Sequence, residues 1–205
     1  MALKAVVFDV GETLVDEERW WRRLADHGGL QPHVVWAALG VTIARGEEHT
    51  ALWGHLGIAQ PTGWYEEPYT LEDLYPDALD CLRRTRELGL RTGIVGNQTE
   101  ALEAWARDAA LPADVISSSA SLGVRKPEPA FFARVVELME CRAAEVAYVG
   151  DRVDNDVLPA NDAGMLSVFI RRGPWGLLQA EWPEAGQAGL RVDSLSELPE
   201  ALRGL

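Results

Sequence analysis

The sequence predicts an α/β fold in which helices cover both faces of a parallel sheet, with one helical insert early in the chain. Three observations predict it. Short apolar runs alternate with helix-length amphipathic segments over most of the 205 residues. The runs show little polar alternation, as expected of strands covered on both sides. One long segment near the N-terminus is helical throughout and interrupts the alternation.

The elements follow in order. Ala5-Val6-Val7-Phe8 is an apolar run ending at Asp9 and reads as a buried first strand. Gly11 then permits a tight turn. From residue 16 to about 57 the period is helical. Trp20 and Leu24 share a face, and Pro32 suits the first turn of a helix carrying Trp36, Leu39 and Ile43. Residues 60–70 contain Pro and Gly and read as a loop. Helix then precedes strand four times: 76–88 before 90–95, 100–110 before 114–117, 128–139 before 146–149, and 155–163 before 166–170. A weak strand near 190–192 and a short helix to 203 close the chain. This alternation implies a doubly wound, Rossmann-like parallel sheet. Residues 1–15 and 76–205 would form its core, and residues 16–75 are the candidate helical insert.

Composition narrows the function classes. Apolar residues make up 47% and charged residues 25%, as in globular domains. The formal net charge of −13 disfavours nucleic acid or an anionic membrane as a partner. A phosphorylated substrate would need a local cationic trap. No apolar stretch approaches the roughly 18 residues of a membrane span, and the N-terminus enters a strand without a signal-peptide pattern. Cys81 and Cys141 lie in helical stretches and read as inert thiols of a reducing cytoplasm. The expectation is a cytoplasmic monomer or homodimer acting on a small molecule. Of 19 basic residues, only Lys4 and Lys126 are lysines.

Ligands of such sheets bind beyond the carboxyl ends of the strands. Four polar clusters fall there: Asp9 to Thr13, Gly96 to Thr99, Arg125-Lys126-Pro127, and Gly150-Asp151 through Asp156. Any one alone is weak, and their convergence is the signal. A carboxylate that attacks phosphorus makes an acyl phosphate and divides one hard displacement into two easier ones. Attack of an anion on an anion requires cations nearby. A lysine at 126, in a chain that otherwise uses arginine, suits the need for a compact point charge.

These segments resemble the haloacid dehalogenase-like superfamily of aspartate-nucleophile hydrolases. FDVGETLV is similar to its first motif, GVRKPEPAFF to its third and VGDRVDNDVLPANDAGM to its fourth, while GIVGNQ stands in the place of the second. The order and spacing span essentially the whole chain, and the insert lies at the family's cap position. The resemblance implies Asp9 as nucleophile and a magnesium ion bound by Asp9, Asp151 and the Gly11 carbonyl. Asp156 belongs to the same metal set, or orients Lys126. Gly96, Asn97 and Lys126 would meet the phosphoryl group, with Asn97 and Lys126 also counted as catalytic. The implied activity is magnesium-dependent hydrolysis of a small phosphorylated metabolite through an aspartyl phosphate. The alternatives are hydrolysis of a carbon–phosphorus or carbon–halogen bond, or phosphate binding with weak turnover.

Two departures qualify the resemblance. The family's usual second aspartate, two residues after the nucleophile, is Gly11 here. That aspartate protonates the leaving oxygen and later activates water; Glu12 is a possible substitute. The usual Ser or Thr of the second motif is Gly96, leaving backbone N–H groups or Thr99 to bind the oxygen. The intact acidic fourth motif favours metal and phosphate over dehalogenation.

Other polar residues have plainer readings. Asp16 suits a helix N-cap. His27, His33, His49 and His55 are too scattered for a ligand cluster and read as solvated or capping. Trp20, Trp21, Trp36 and Trp53 read mainly as core of the insert. Trp64 and Tyr65 are better placed to face substrate, and Glu66 and Glu67 read as solvated.

Overall fold

The computed structural model describes residues 2–60, 69–203 and 205. Trp64, Tyr65, Glu66 and Glu67 lie outside the described residues. The sheet comprises β1 (Ala5–Phe8), β2 (Arg91–Gly96), β3 (Val115–Ser118), β4 (Val146–Gly150), β5 (Leu166–Ile170) and β6 (Leu190–Val192). All pairings are parallel, in the order β3-β2-β1-β4-β5-β6. β1 is central and all four of its residues are buried.

Strand residues point alternately to two cores, which is why the runs are apolar without alternation. On one face Val6, Phe8, Ile94, Ala147, Val149 and Val168 pack with α4 (Ala78–Glu87), α5 (Glu100–Asp108) and α10 (Leu198–Leu202). On the other, Ala5, Val7, Val95, Val146 and Tyr148 pack with α7 (Pro129–Met139) and α8 (Leu158–Asp162). The expected strands are present with boundaries shifted by at most a residue or so.

Among the described residues, three α-helices form between β1 and α4: α1 (Glu18–His27), α2 (Pro32–Ala44) and α3 (Ala51–Leu56). Pro32 occupies the first turn of α2, where its missing N–H costs nothing. Trp21, Leu24, Val35, Leu39, Ile43, Leu52 and Trp53 form a separate apolar cluster among these helices. Trp20 instead joins the main core. The chain returns through a bridge between Val15 and Leu74.

The structure adds three features to the sequence reading. The segment expected as a helix from 155 begins as a π-turn at Val153–Val157 before α8. A helix, α9 (Gly173–Gln179), follows β5, and its Trp175 joins the cluster of α1–α3. The four-residue α6 (Ser119–Leu122) follows β3. Among the described residues, no helix is long and apolar enough to cross a membrane.

Candidate active site

β1 and β4 are neighbours, and the Asp9 N–H donates to Val149 O at 2.9 Å. Asp9 and Asp151 therefore leave adjacent strand ends, where the winding of the sheet reverses and such folds bind ligands. The π-turn brings Asp156 back to the same point, with its Oδ2 accepting from the Arg152 N–H at 2.9 Å. Asp9, Asp151 and Asp156 are buried, and each offers a carboxylate oxygen within 4.8 Å of the others.

Lys126 enters this group from the loop before α7. It is 1% exposed, with Nζ 2.7 Å from Asp9 Oδ1 and 2.6 Å from Asp156 Oδ1. The ammonium also lies 5.5 Å from the centre of the Tyr148 ring, whose hydroxyl donates to Val95 O at 2.8 Å. Asn97 clamps the lysine backbone: its Oδ1 accepts from Lys126 N–H at 2.8 Å and its Nδ2 donates to Lys126 O at 3.0 Å. The Asn97 amide is thus committed to positioning Lys126. Gly96 has a steric reason to lack a side chain, since a Cβ there would collide with Asp9 Oδ1. Thr99 serves as N-cap of α5, its hydroxyl accepting from Leu102 N–H at 3.3 Å.

The charges in this group do not balance. Burial disfavours the ammonium of Lys126, but Asp156 and Asp9 outweigh that and raise its pKa well above the ordinary value. Burial, then Asp156 and Asp9, push the Asp151 carboxyl well above the usual range. Its Oδ2 is buried without a hydrogen-bond partner among the described residues. With all three carboxyls ionised against one ammonium, two negative charges would be left over, and a divalent cation beside Asp151 would answer both deficits. An all-oxygen donor set suits a hard ion such as magnesium. Both Asp156 oxygens are already engaged, by Lys126 and by Arg152 N–H, so its clearest role in the structure is to hold Lys126.

A second pair of acids lies in the turn after β1. Leu14 and Val15 N–H both donate to Val10 O at 2.9 Å, and Glu12 N–H donates to Val15 O at 2.7 Å. Glu12 takes a left-handed φ of 52°, and its carboxylate accepts from the Tyr75 hydroxyl at 2.6 Å. The turn folds the chain back so that Glu17, six residues on, lies against Gly11. A Cβ at Gly11 would stand 2.5 Å from Glu17 Oε1. That oxygen accepts from the Tyr69 hydroxyl at 2.8 Å, and the buried Trp21 indole N–H is close enough to favour the charged carboxylate without reaching hydrogen-bond geometry. Enclosure raises the pKa of both acids, helped for Glu12 by the charge of Glu17 and for Glu17 by those of Asp9 and Asp16. Asp16 accepts from Glu18 N–H at 2.8 Å but is not the N-cap expected of it: that place falls to Glu17, which makes no side-chain cap bond.

A cavity of about 430 Å³ opens onto both groups. Asp9, Asp151 and Lys126 line it with Gly11, Glu12 and Glu17, while Trp20, Trp21 and His49 enter from the helical segment. His49 departs from its expected solvated role: it is half-buried at the cavity, and burial lowers its pKa. His27 and His33 are exposed, and His55 contacts Glu47 at 2.5 Å. Arg125, beside Lys126, reaches Glu48 before α3 at 3.8 Å. Sequence reasoning missed Glu17 because Asp16-Glu17-Glu18 has the look of acids gathered at a helix N-terminus. The absent side chain at Gly11 was the available clue.

Comparisons with known proteins follow the same line. The family profile of the haloacid dehalogenase-like hydrolases matches residues 3–164. A glyceraldehyde 3-phosphate phosphatase of Methanopyrus kandleri is 35% identical over 58% of this chain and 53% of its own. The protein of the same name from Methanocaldococcus jannaschii is 28% identical over 64% of this chain and 57% of its own. The chain thus spans little more than half the length of these two relatives. Among solved structures, an L-2-haloacid dehalogenase of Xanthobacter autotrophicus shares the fold, with a TM-score of 0.71, 22% identity and 99% of each chain covered.

Proposed function

The chain belongs to the haloacid dehalogenase-like hydrolases, and from that premise we propose that it is a magnesium-dependent phosphohydrolase of a small phosphorylated metabolite. The observation that carries this reading is the Lys126 ammonium held between Asp9 and Asp156, beside the partnerless Oδ2 of Asp151. In this reading a carboxylate oxygen of Asp9 attacks phosphorus. Lys126 neutralises the nucleophile before attack and the phosphoryl oxygens during it. Asp156 holds the lysine from its charged end, and Asn97 holds it from its backbone. Asp9, Asp151 and the Gly11 carbonyl, with Asp156 alongside, would hold magnesium, which would supply positive charge to the phosphoryl group. The backbone at Gly96 and Asn97 offers donors to the remaining oxygen.

A cavity of about 430 Å³ suits a small metabolite, and the relatives named glyceraldehyde 3-phosphate phosphatase support a substrate of that class. Carbon–halogen cleavage gives no use to the uncompensated acids around Asp151. Residues 16–75 act in this reading as a cap over the strand ends that moves when substrate binds. The net charge of −13 and the two unpaired cysteines support a cytoplasmic monomer or homodimer, with nucleic acid and membranes outside its partners. The test is phosphate release from sugar, triose, acyl and phosphonate substrates, with magnesium and with excess chelator. Magnesium-dependent release from a phosphate ester is expected, and release that persists in chelator, or none from any ester, refutes the reading.

A further inference from the structure

The mechanism above leaves one proton unassigned. When the ester bond to phosphorus breaks, its electron pair passes to the leaving oxygen, and a basic alkoxide must be protonated as it departs. Lys126, Asp151 and Asp156 are engaged with each other or with the expected cation. Glu12 faces the Tyr75 hydroxyl and packs against the backbone of Gly173. Glu48 is turned to Arg125 at 3.8 Å, and Glu17 is a cavity-lining acid for which the mechanism has no other use.

Its placement is specific. An aspartate at position 11 would carry its own carboxyl oxygens about 2.4 Å from its Cβ, by ordinary bond lengths. Glu17 Oε1 stands 2.5 Å from where that Cβ would be. A carboxyl from six residues along the chain therefore reaches the space that a side chain at Gly11 would fill. The Tyr69 hydroxyl holds Oε1 there at 2.8 Å.

We propose that Glu17 is the general acid and base of the reaction, its carboxyl taking the room left empty by Gly11. The proposal rests on the phosphohydrolase reading. In the first step Asp9 bonds to phosphorus, the bond to the leaving oxygen breaks, and the Glu17 proton passes to that oxygen. The products are the alcohol, the aspartyl phosphate and a Glu17 carboxylate. In the second step water attacks phosphorus and gives a proton to Glu17. The bond to Asp9 breaks and its electron pair returns to the aspartate, so phosphate is released and the acid is restored.

The test compares wild type, Glu17→Gln and the double variant Gly11→Asp/Glu17→Ala in the full chain with magnesium. The substrates are p-nitrophenyl phosphate, with a weakly basic leaving group, and β-glycerophosphate, with a strongly basic one. In Glu17→Gln the first step should slow by about 10²–10⁴-fold on the alkyl ester. It should slow little on the aryl ester, which gives one rapid equivalent of nitrophenol before turnover stalls for want of a base. Gly11→Asp alone should impair the enzyme, because its Cβ would meet Glu17 Oε1, whereas the double variant should recover alkyl turnover relative to Glu17→Gln. Equal slowing of the first step on the two esters, or none, overturns the assignment while leaving the phosphohydrolase reading intact. A wild type silent on both esters and forming no acyl phosphate overturns the reading and this proposal with it.

Discussion

Two groups of carboxylates line the same cavity and are held in opposite ways. Asp9 and Asp156 share a buried ammonium, and Asp151 adds a third carboxyl whose Oδ2 has no hydrogen-bond partner among the described residues. Glu12 and Glu17 have phenols instead: Tyr75 for one and Tyr69 for the other. A phenol can donate a hydrogen bond but cannot cancel a charge. The difference teaches how a fold divides labour among chemically similar side chains. A buried ammonium gives two carboxylates a shared counter-charge, though burial still raises Asp156 to about 6, whereas Glu12 and Glu17, enclosed without a cation, are raised further, to about 8 and about 7.

The largest expected effect comes from the first group. Asp9→Asn should lower phosphate release by at least about 10⁴-fold, because an amide cannot form the acyl phosphate, whereas each phenol-bound acid should cost less. Comparable turnover in the variant would dissolve the contrast.

Lys126→Met tests the shared cation directly. Two buried carboxylates lose their counter-charge, so urea unfolding in chelator should show a loss of about 3–5 kcal/mol. Magnesium should return part of it by supplying charge to the same place. An unchanged unfolding midpoint would mean that the pairing is not part of what holds the strand ends together.

Asp151→Asn sharpens the comparison by separating stability from function. Its carboxyl is raised in the fold above its unfolded value, so the folded form binds the proton more tightly. The metal-free wild type should therefore lose stability as pH rises from about 4, the unfolded value, toward the raised one. In chelator, Asp151→Asn should flatten that decline and gain roughly 1–2 kcal/mol near neutral pH, while losing magnesium-dependent turnover. A variant less stable than wild type in chelator at pH 7–8 would show that the carboxylate has a partner in the apo fold.

The smallest effect belongs to the phenols. Tyr75→Phe removes one hydrogen bond to a buried acid and should cost about 1 kcal/mol in thermal or urea unfolding. It should leave the Asp9 chemistry largely in place on an aryl phosphate. A loss as large as that of Lys126→Met would mean that the two groups are not held differently after all.

What could be read from the sequence follows from how local each cause is. The strands and most helices were legible, because burial on both faces leaves continuous apolar runs and amphipathic helices leave their period. Asp9, Lys126 and Asp151 were legible as polar residues at strand ends. The roles of Asn97 and Glu17 were not, because both depend on a partner far away in space or folded back by a turn. Asn97 holds a backbone 29 residues away. Glu17 reaches Gly11 through the hydrogen bonds that Val10 O and Val15 O accept within one short turn. Gly96 read as a missing hydroxyl, while in the fold it is clearance for Asp9. α9 escaped because its Gly173-Pro174-Trp175-Gly176 start carries more turn signal than helix signal, and contact with α2 overrides that preference.

That last helix has a consequence for any attempt to transplant specificity. α9 belongs by sequence to the strand-five side of the molecule, yet Trp175 packs 6.1 Å from Trp21 among the insert's helices. The same indole lies 5.2 Å beneath the guanidinium of Arg152, the residue next to Asp151. Residues 16–75 are therefore not a self-contained cassette. A chimaera that took them from another member of the family would strand Trp175 against foreign side chains and loosen its hold on Arg152. The exchangeable unit is discontinuous, and workable breakpoints must carry Gly173–Gln179 together with the insert.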